Sequence, residues 1–130
     1  MTREERNELA TYRITKARNT FRETDLLITN NLWNTAVNRL YYACYYAVSA
    51  LLISKEIETQ THAGARQMFG LHFIKSGLIE LSLGKFYSRL FDLRQTGDYD
   101  DFLDFSEEDT LDLLEPANRL ITHIESILKK

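Results

Sequence analysis

A chain of 130 residues with 44% apolar content, seven Phe, seven Tyr and one Trp has the size of one domain, residues 1–130, and enough apolar side chain to build a substantial core. Its 16 Lys and Arg stand against 19 Asp and Glu, so the formal charge of -3 gives no bulk electrostatic reason to bind nucleic acid and none to expect DNA. The single cysteine, Cys44, cannot form an internal disulfide, the charged N-terminal stretch has no apolar run behind it, and no segment reaches the roughly 18 apolar residues of a membrane span, which together predict a cytoplasmic protein, neither secreted nor membrane-inserted.

Five Gly and one Pro, with few runs of strict polar and apolar alternation, predict helices joined by short connections. The first spans residues 2 to about 29. Thr2 and Glu5 are spaced as a capping box, and Leu9, Tyr12, Ile14, Ala17, Phe21, Leu26, Leu27 and Ile28 form an imperfect apolar stripe. Asn30-Asn31 marks the break, because Asn tolerates the left-handed conformation that ends a helix. The second helix, about 32 to 55, is apolar around more than one face. Trp33, Ala36, Val37, Leu40, Tyr41, Cys44, Ala47, Val48, Leu51 and Leu52 recur at spacings of three and four, and Tyr42, Tyr45, Tyr46 and Ala50 widen the arc toward a second surface. A symmetric homodimer would cover that surface.

Thr61 or His62 is placed to open a third helix carrying Met68, Phe69, Leu71, Phe73 and Ile74, which Ser76-Gly77 ends or bends. A fourth helix begins near 80 or 85 and runs to Arg94, with Phe86, Leu90 and Leu93 inward. Residues 95–104 then read as a long polar connection with a turn at Thr96-Gly97-Asp98. Ser106 caps the last helix, acidic at its start and basic at Lys129-Lys130. Pro116 inside its apolar pattern predicts either a kinked helix from 106 to 128 or a break into two helices at 115. The pattern is an all-α, antiparallel up-and-down bundle of four to five helices.

The chain has no phosphate-binding glycine loop, no zinc signature and no paired cysteines, and His62, His72 and His123 are dispersed, so neither metal nor cofactor is expected. Asn38 and Arg39 interrupt the apolar second helix; they sit either on a solvated flank or in a shared cleft. Arg66 and His72, six apart and so about 120° apart on a helix, could meet only across a groove or a dimer interface; there the imidazole would move a proton and the guanidinium steady phosphorane charge in RNA cleavage, although a solvated Arg and a core-edge His explain them without a ligand. Arg94, Asp98 and Tyr99 form a second cluster. Either Asp98 pairs with Arg94 to pin the loop, or Arg94 and Tyr99 contact a phosphate or a base.

Trp33, Ala36, Arg39 and Tyr41-Tyr42-Ala43, then Thr61-His62, Gly64, Phe69 and Phe73-Ile74, then Leu90-Phe91, Arg94 and Gly97-Asp98-Tyr99, together resemble the HEPN domain family. The resemblance implies a helical bundle, often a homodimer, that works with a small nucleotidyltransferase partner in toxin–antitoxin pairs. Many members are metal-independent endoribonucleases with an Arg followed four to six residues later by His, whereas others bind nucleotides or proteins without catalysis. Here Tyr99 stands five residues after Arg94, and no His follows until His123. The expectation is therefore a non-catalytic or regulatory module binding a nucleotide, RNA or a nucleotidyltransferase through Arg94, Asp98, Tyr99, Arg39 and Asn38. The alternatives are an endoribonuclease with an altered motif, drawing on Arg66 and His72, and a purely structural interaction protein.

Overall fold

The structure, a computed structural model, describes residues 1–99 and 104–129 apart from the side chains of Asp98 and Tyr99; Asp100, Asp101 and Lys130 fall outside the described residues. Among these residues every regular element is helical: α1 (Arg3–Thr29), α2 (Trp33–Ser54), α3 (His62–Phe69), α4 (Leu81–Tyr99), α5 (Glu107–Leu111) and α6 (Leu114–Leu128), with a π turn at Gly70–Ile74 continuing α3. They form an all-α up-and-down bundle in which α2 packs against each of the other five helices.

The ends of α1 follow from local chemistry. Thr2 Oγ1 accepts from the Glu5 amide at 3.0 Å while Glu5 Oε1 accepts from the Thr2 amide at 3.2 Å, closing the expected capping box. At the other end Asn31 takes φ 57°, and the Leu32 amide donates to the Leu27 carbonyl at 2.9 Å, the bond that lets the chain reverse into α2. The same device ends α2, with Glu56 at φ 60° and the Ile57 amide on the Leu52 carbonyl at 3.0 Å.

The stripe expected on α1 is narrower in the structure. Its buried residues are Ala10, Ala17, Thr20 and Thr24, while Tyr12 is 61% and Leu26 69% exposed. Ala10, Ala17 and Thr24 recur every seventh residue, as do the buried Ala36, Ala43 and Ala50 of α2. Small side chains at heptad spacing on two antiparallel helices allow their backbones to approach closely, and bulky groups are pushed to the flanks. A four-point clamp from Arg18 ties α1 to α6: its Nε and Nη2 donate to the two Glu125 carboxylate oxygens at 3.2 and 2.6 Å, Nη1 to Asn118 at 2.6 Å and Nη2 to Thr122 at 3.0 Å.

Two expectations are corrected. Helix α4 does not stop at Arg94 but continues through Gly97 to Tyr99. Glycine is needed there for contact rather than for a turn, since a Cβ on Gly97 would stand 2.6 Å from Phe105 Cε2. Phe105 is itself buried, and its amide donates to Asn34 Oδ1 at 2.8 Å, which fixes the return of the chain against the start of α2. The last helix is also two helices, and the break falls at Asp112 and Leu113, upstream of Pro116. Pro116 occupies the third position of α6, where an amide hydrogen would have no partner within the helix, so the proline starts the helix without bending it.

Two substitutions check these contacts. Gly97→Ala should lower unfolding free energy by about 1–3 kcal/mol by driving Cβ into Phe105, and Ala17→Leu should cost a similar ~1–3 kcal/mol by overfilling the α1–α2 contact. Both are measured by urea denaturation; an unchanged midpoint for either would show that the contact relaxes freely.

Candidate functional site

The site grows from a core residue, Tyr41, which is fully buried in the middle of α2. A buried phenol needs a hydrogen-bond partner, and Tyr41 Oη lies 2.8 Å from Nδ1 of His62, the first residue of α3. Thr61 sets that position, because its hydroxyl accepts from the Gly64 amide at 2.8 Å and caps α3 immediately before His62. The imidazole then stacks on Tyr45, one turn after Tyr41, with ring centroids 4.0 Å apart and planes within 10°.

Arg94 reaches this cluster from α4. Its guanidinium carbon lies 4.8 Å from the centroid of the Tyr41 ring, 5.8 Å from Tyr42 and 6.0 Å from Phe91. Arg39 lies 4.8 Å from the Tyr42 centroid, and its Nε and Nη2 donate to Asn38 Oδ1 at 3.2 and 3.0 Å. Lys16 extends the pattern across α1, with Nζ 4.7 Å from the Tyr46 centroid. Tyr42, Tyr45 and Tyr46 are half-buried, so each keeps ring surface available beside a cation.

Burial keeps the phenols and the imidazole of this cluster neutral. Burial pushes the Tyr41 phenol up to about 12 and that of Tyr87, packed against it, well above the ordinary value, so both stay protonated. Burial and then the nearby Arg94 charge hold His62 below its ordinary pKa, which favours the uncharged imidazole at neutral pH. Burial pushes the Cys44 thiol far up, so it is a core side chain and not a nucleophile.

Of the residues singled out in the sequence, Arg39 and Arg94 converge on the Tyr42 ring, and Asn38 joins them through its bonds to Arg39. Asp98 and Tyr99 follow Arg94 within α4, and their side chains lie outside the described residues. Arg66 and His72 have separate surroundings. Arg66 turns toward α4, 3.5 Å from Asp92 and 4.3 Å from the Phe91 centroid, while His72 is exposed on the π turn. The sequence pattern did not single out His62 as a site residue. Tyr41 and Tyr45 share a helix face by their spacing of four, but nothing in the sequence ties His62 to a phenol 21 positions earlier.

The HEPN domain model matches residues 10–127. A UPF0332 protein of Thermotoga maritima is 37% identical over 125 residues, covering 96% of this chain and 95% of the relative. Two putative toxins of Methanocaldococcus jannaschii are also similar. One is 30% identical over 115 residues, 88% of this chain and 78% of the relative, and the other is 33% identical over 105 residues, 81% and 78% respectively.

The pairing of His62 with Arg94 can be read by NMR. His62 should titrate below 6.5, and Arg94→Ala should raise its midpoint by removing a neighbouring positive charge. Because the folded value lies below the unfolded one, the stability that neutral His62 contributes is complete above about pH 6.5 and is lost as pH falls through the folded value. A His62 midpoint that does not move in Arg94→Ala would separate the two side chains electrostatically.

Proposed function

The chain belongs to the HEPN domain family, and from that premise we propose that it is an RNA-binding module that takes single-stranded segments on its tyrosine face. The observation that carries this reading is the interleaving of Arg94, Arg39 and Lys16 with Tyr41, Tyr42 and Tyr46 at cation-to-ring distances of 4.7–4.8 Å. Unpaired bases stack on half-exposed tyrosines whatever their sequence, and guanidinium groups beside those rings meet the intervening phosphates. Asn38 orients the Arg39 fork through its side-chain oxygen. Asp98 and Tyr99 join the proposal by position alone, about one turn beyond Arg94 on α4. The net charge of -3 means that binding rests on this local patch and not on the field of the whole protein. The relatives named as putative toxins support placing the module in a toxin–antitoxin pair.

Cleavage is a second reading because His62 supplies, from α3, the imidazole that the Arg94 segment lacks. In the tautomer whose Nδ1–H donates to Tyr41 Oη, Nε2 keeps its lone pair and would take the proton from a ribose 2′-hydroxyl as that oxygen attacks the adjacent phosphorus and the 5′-oxygen leaves, while Arg94 beside it would stabilise charge on the phosphorane.

Fluorescence anisotropy with a labelled single-stranded RNA tests the first reading. Affinity should fall with salt, a duplex of the same sequence should bind more weakly, and Arg94→Ala should weaken binding by about tenfold, the loss of a charge-assisted contact. No binding in low salt, or an Arg94→Ala variant that binds like the wild type, sinks the reading. A metal-free cleavage assay tests the second. His62→Ala, Arg94→Ala and a 2′-deoxy substrate should each abolish cleavage, whereas loss in His72→Ala alone would return the chemistry to Arg66 and His72.

A further inference from the structure

The tyrosine face does not end at His62. The Tyr45 ring that stacks on this imidazole also forms one wall of a groove of about 620 Å³ between the first half of α1 and the second half of α2. Arg13, Ser49, Leu9 and the Arg6–Glu56 pair are among the residues that line it, together with the segment Ile57 to Gln60 that follows α2. We propose that this groove is a second subsite of the RNA-binding face, in which Arg13 receives a phosphate, so that the ligand recognised is an oligonucleotide and not a mononucleotide. The inference rests on the reading of the tyrosine face as RNA-binding.

Arg13 differs in what it touches from the three half-buried arginines that meet carboxylates, and resembles Arg39, whose fork rests on the neutral Asn38 oxygen. Arg6 meets Glu56 at 2.7 Å, Arg18 meets Glu125 at 2.6 Å and Arg66 meets Asp92 at 3.5 Å. Among the described residues Arg13 has no carboxylate; its polar partner is the Ser49 hydroxyl, to which Nη1 donates at 3.3 Å. A half-buried guanidinium facing a neutral hydroxyl keeps its charge unpaired by any carboxylate and most of its donors open to an anion, and the hydroxyl beside it can donate to the same oxygen. The acids of the groove leave Arg13 available, since Glu56 is engaged by Arg6 and Glu58 is exposed to water.

The geometry also sets the length of the ligand. Arg39 and Ser49 are ten residues apart on α2, about 15 Å at 1.5 Å per residue, which a single nucleotide does not bridge. Arg39, Tyr42, Tyr45 and the Arg13–Ser49 pair follow one another along that span. Two rings thus lie between a cation at either end, along a path that an unpaired strand can follow with bases on the rings and phosphates on the cations.

The test uses the full chain, a fluorescein-labelled ten-nucleotide single-stranded RNA, and AMP as the mononucleotide probe. The decamer should bind at least about a hundredfold more tightly than AMP, as expected for contacts joined on one strand. Arg13→Gln should weaken the decamer about tenfold and lower the slope of log affinity against log salt by about 0.7. Arg13→Lys keeps the charge and should retain the slope with a smaller loss, which separates phosphate contact from any effect of Arg13→Gln on folding. If Arg94→Ala weakens the decamer while both Arg13 variants match the wild type in affinity and slope, the groove is no subsite and the tyrosine face still stands. If the wild-type chain binds no decamer, the reading of the face fails and the second subsite fails with it.

Discussion

A phenol held at the centre of the bundle governs this structure. Tyr41 is fully buried, and leaving its hydroxyl without a partner would cost about 1–3 kcal/mol, so some element must bring a polar atom to it. His62 does so, and that hydrogen bond fixes where α3 begins relative to α2. The faces and edges of the same ring are then covered by Tyr87, Phe91, Tyr42 and Tyr45, with Arg94 above. Core packing and site assembly are therefore one event. An arginine lies at the edge of an apolar interior because aromatic π-faces accept its charge where aliphatic side chains would not.

The fold was largely legible because its boundaries are written in local chemistry. Thr2 with Glu5, Asn30-Asn31, Thr61 and Ser106 each satisfy or reverse a helix end by short-range hydrogen bonds, which sequence spacing captures. Gly97 and Pro116 misled for a common reason. Each is read from the sequence as a backbone signal, yet Gly97 is small because Phe105 arrives from the next segment, and Pro116 is harmless because the helix starts later than its apolar pattern. Both depend on groups whose position local spacing does not encode.

The site was legible only where it shares a helix. Asn38, Arg39 and the tyrosines of α2 could be grouped by periodicity, and Arg94 stood out within its own segment. The imidazole at residue 62, and the guanidinium of Arg13 on another helix, join them through tertiary packing. Arg66 and His72, six residues and so about 120° apart on a helix, entered only as an alternative cleavage pair, and in the structure Arg66 is drawn to Asp92 and Phe91 while His72 remains exposed. Proximity in sequence and proximity in space diverge wherever a π turn or a change of helix intervenes.

The seven-residue recurrence of small side chains on α1 and α2 has a consequence beyond stability. Arg13 and Lys16 ride on one of these helices, and Tyr45, Tyr46 and Ser49 on the other, so the interhelical spacing that alanines permit is also the spacing between charge and ring. Such a gauge is set when the backbones close on each other, so the aromatic surface is already in place in the folded chain. Adding bulk between the helices would move the cations away from the aromatic surface without altering any cation or ring. The alanines thus act as calipers, transmitting core dimensions to a surface several residues away.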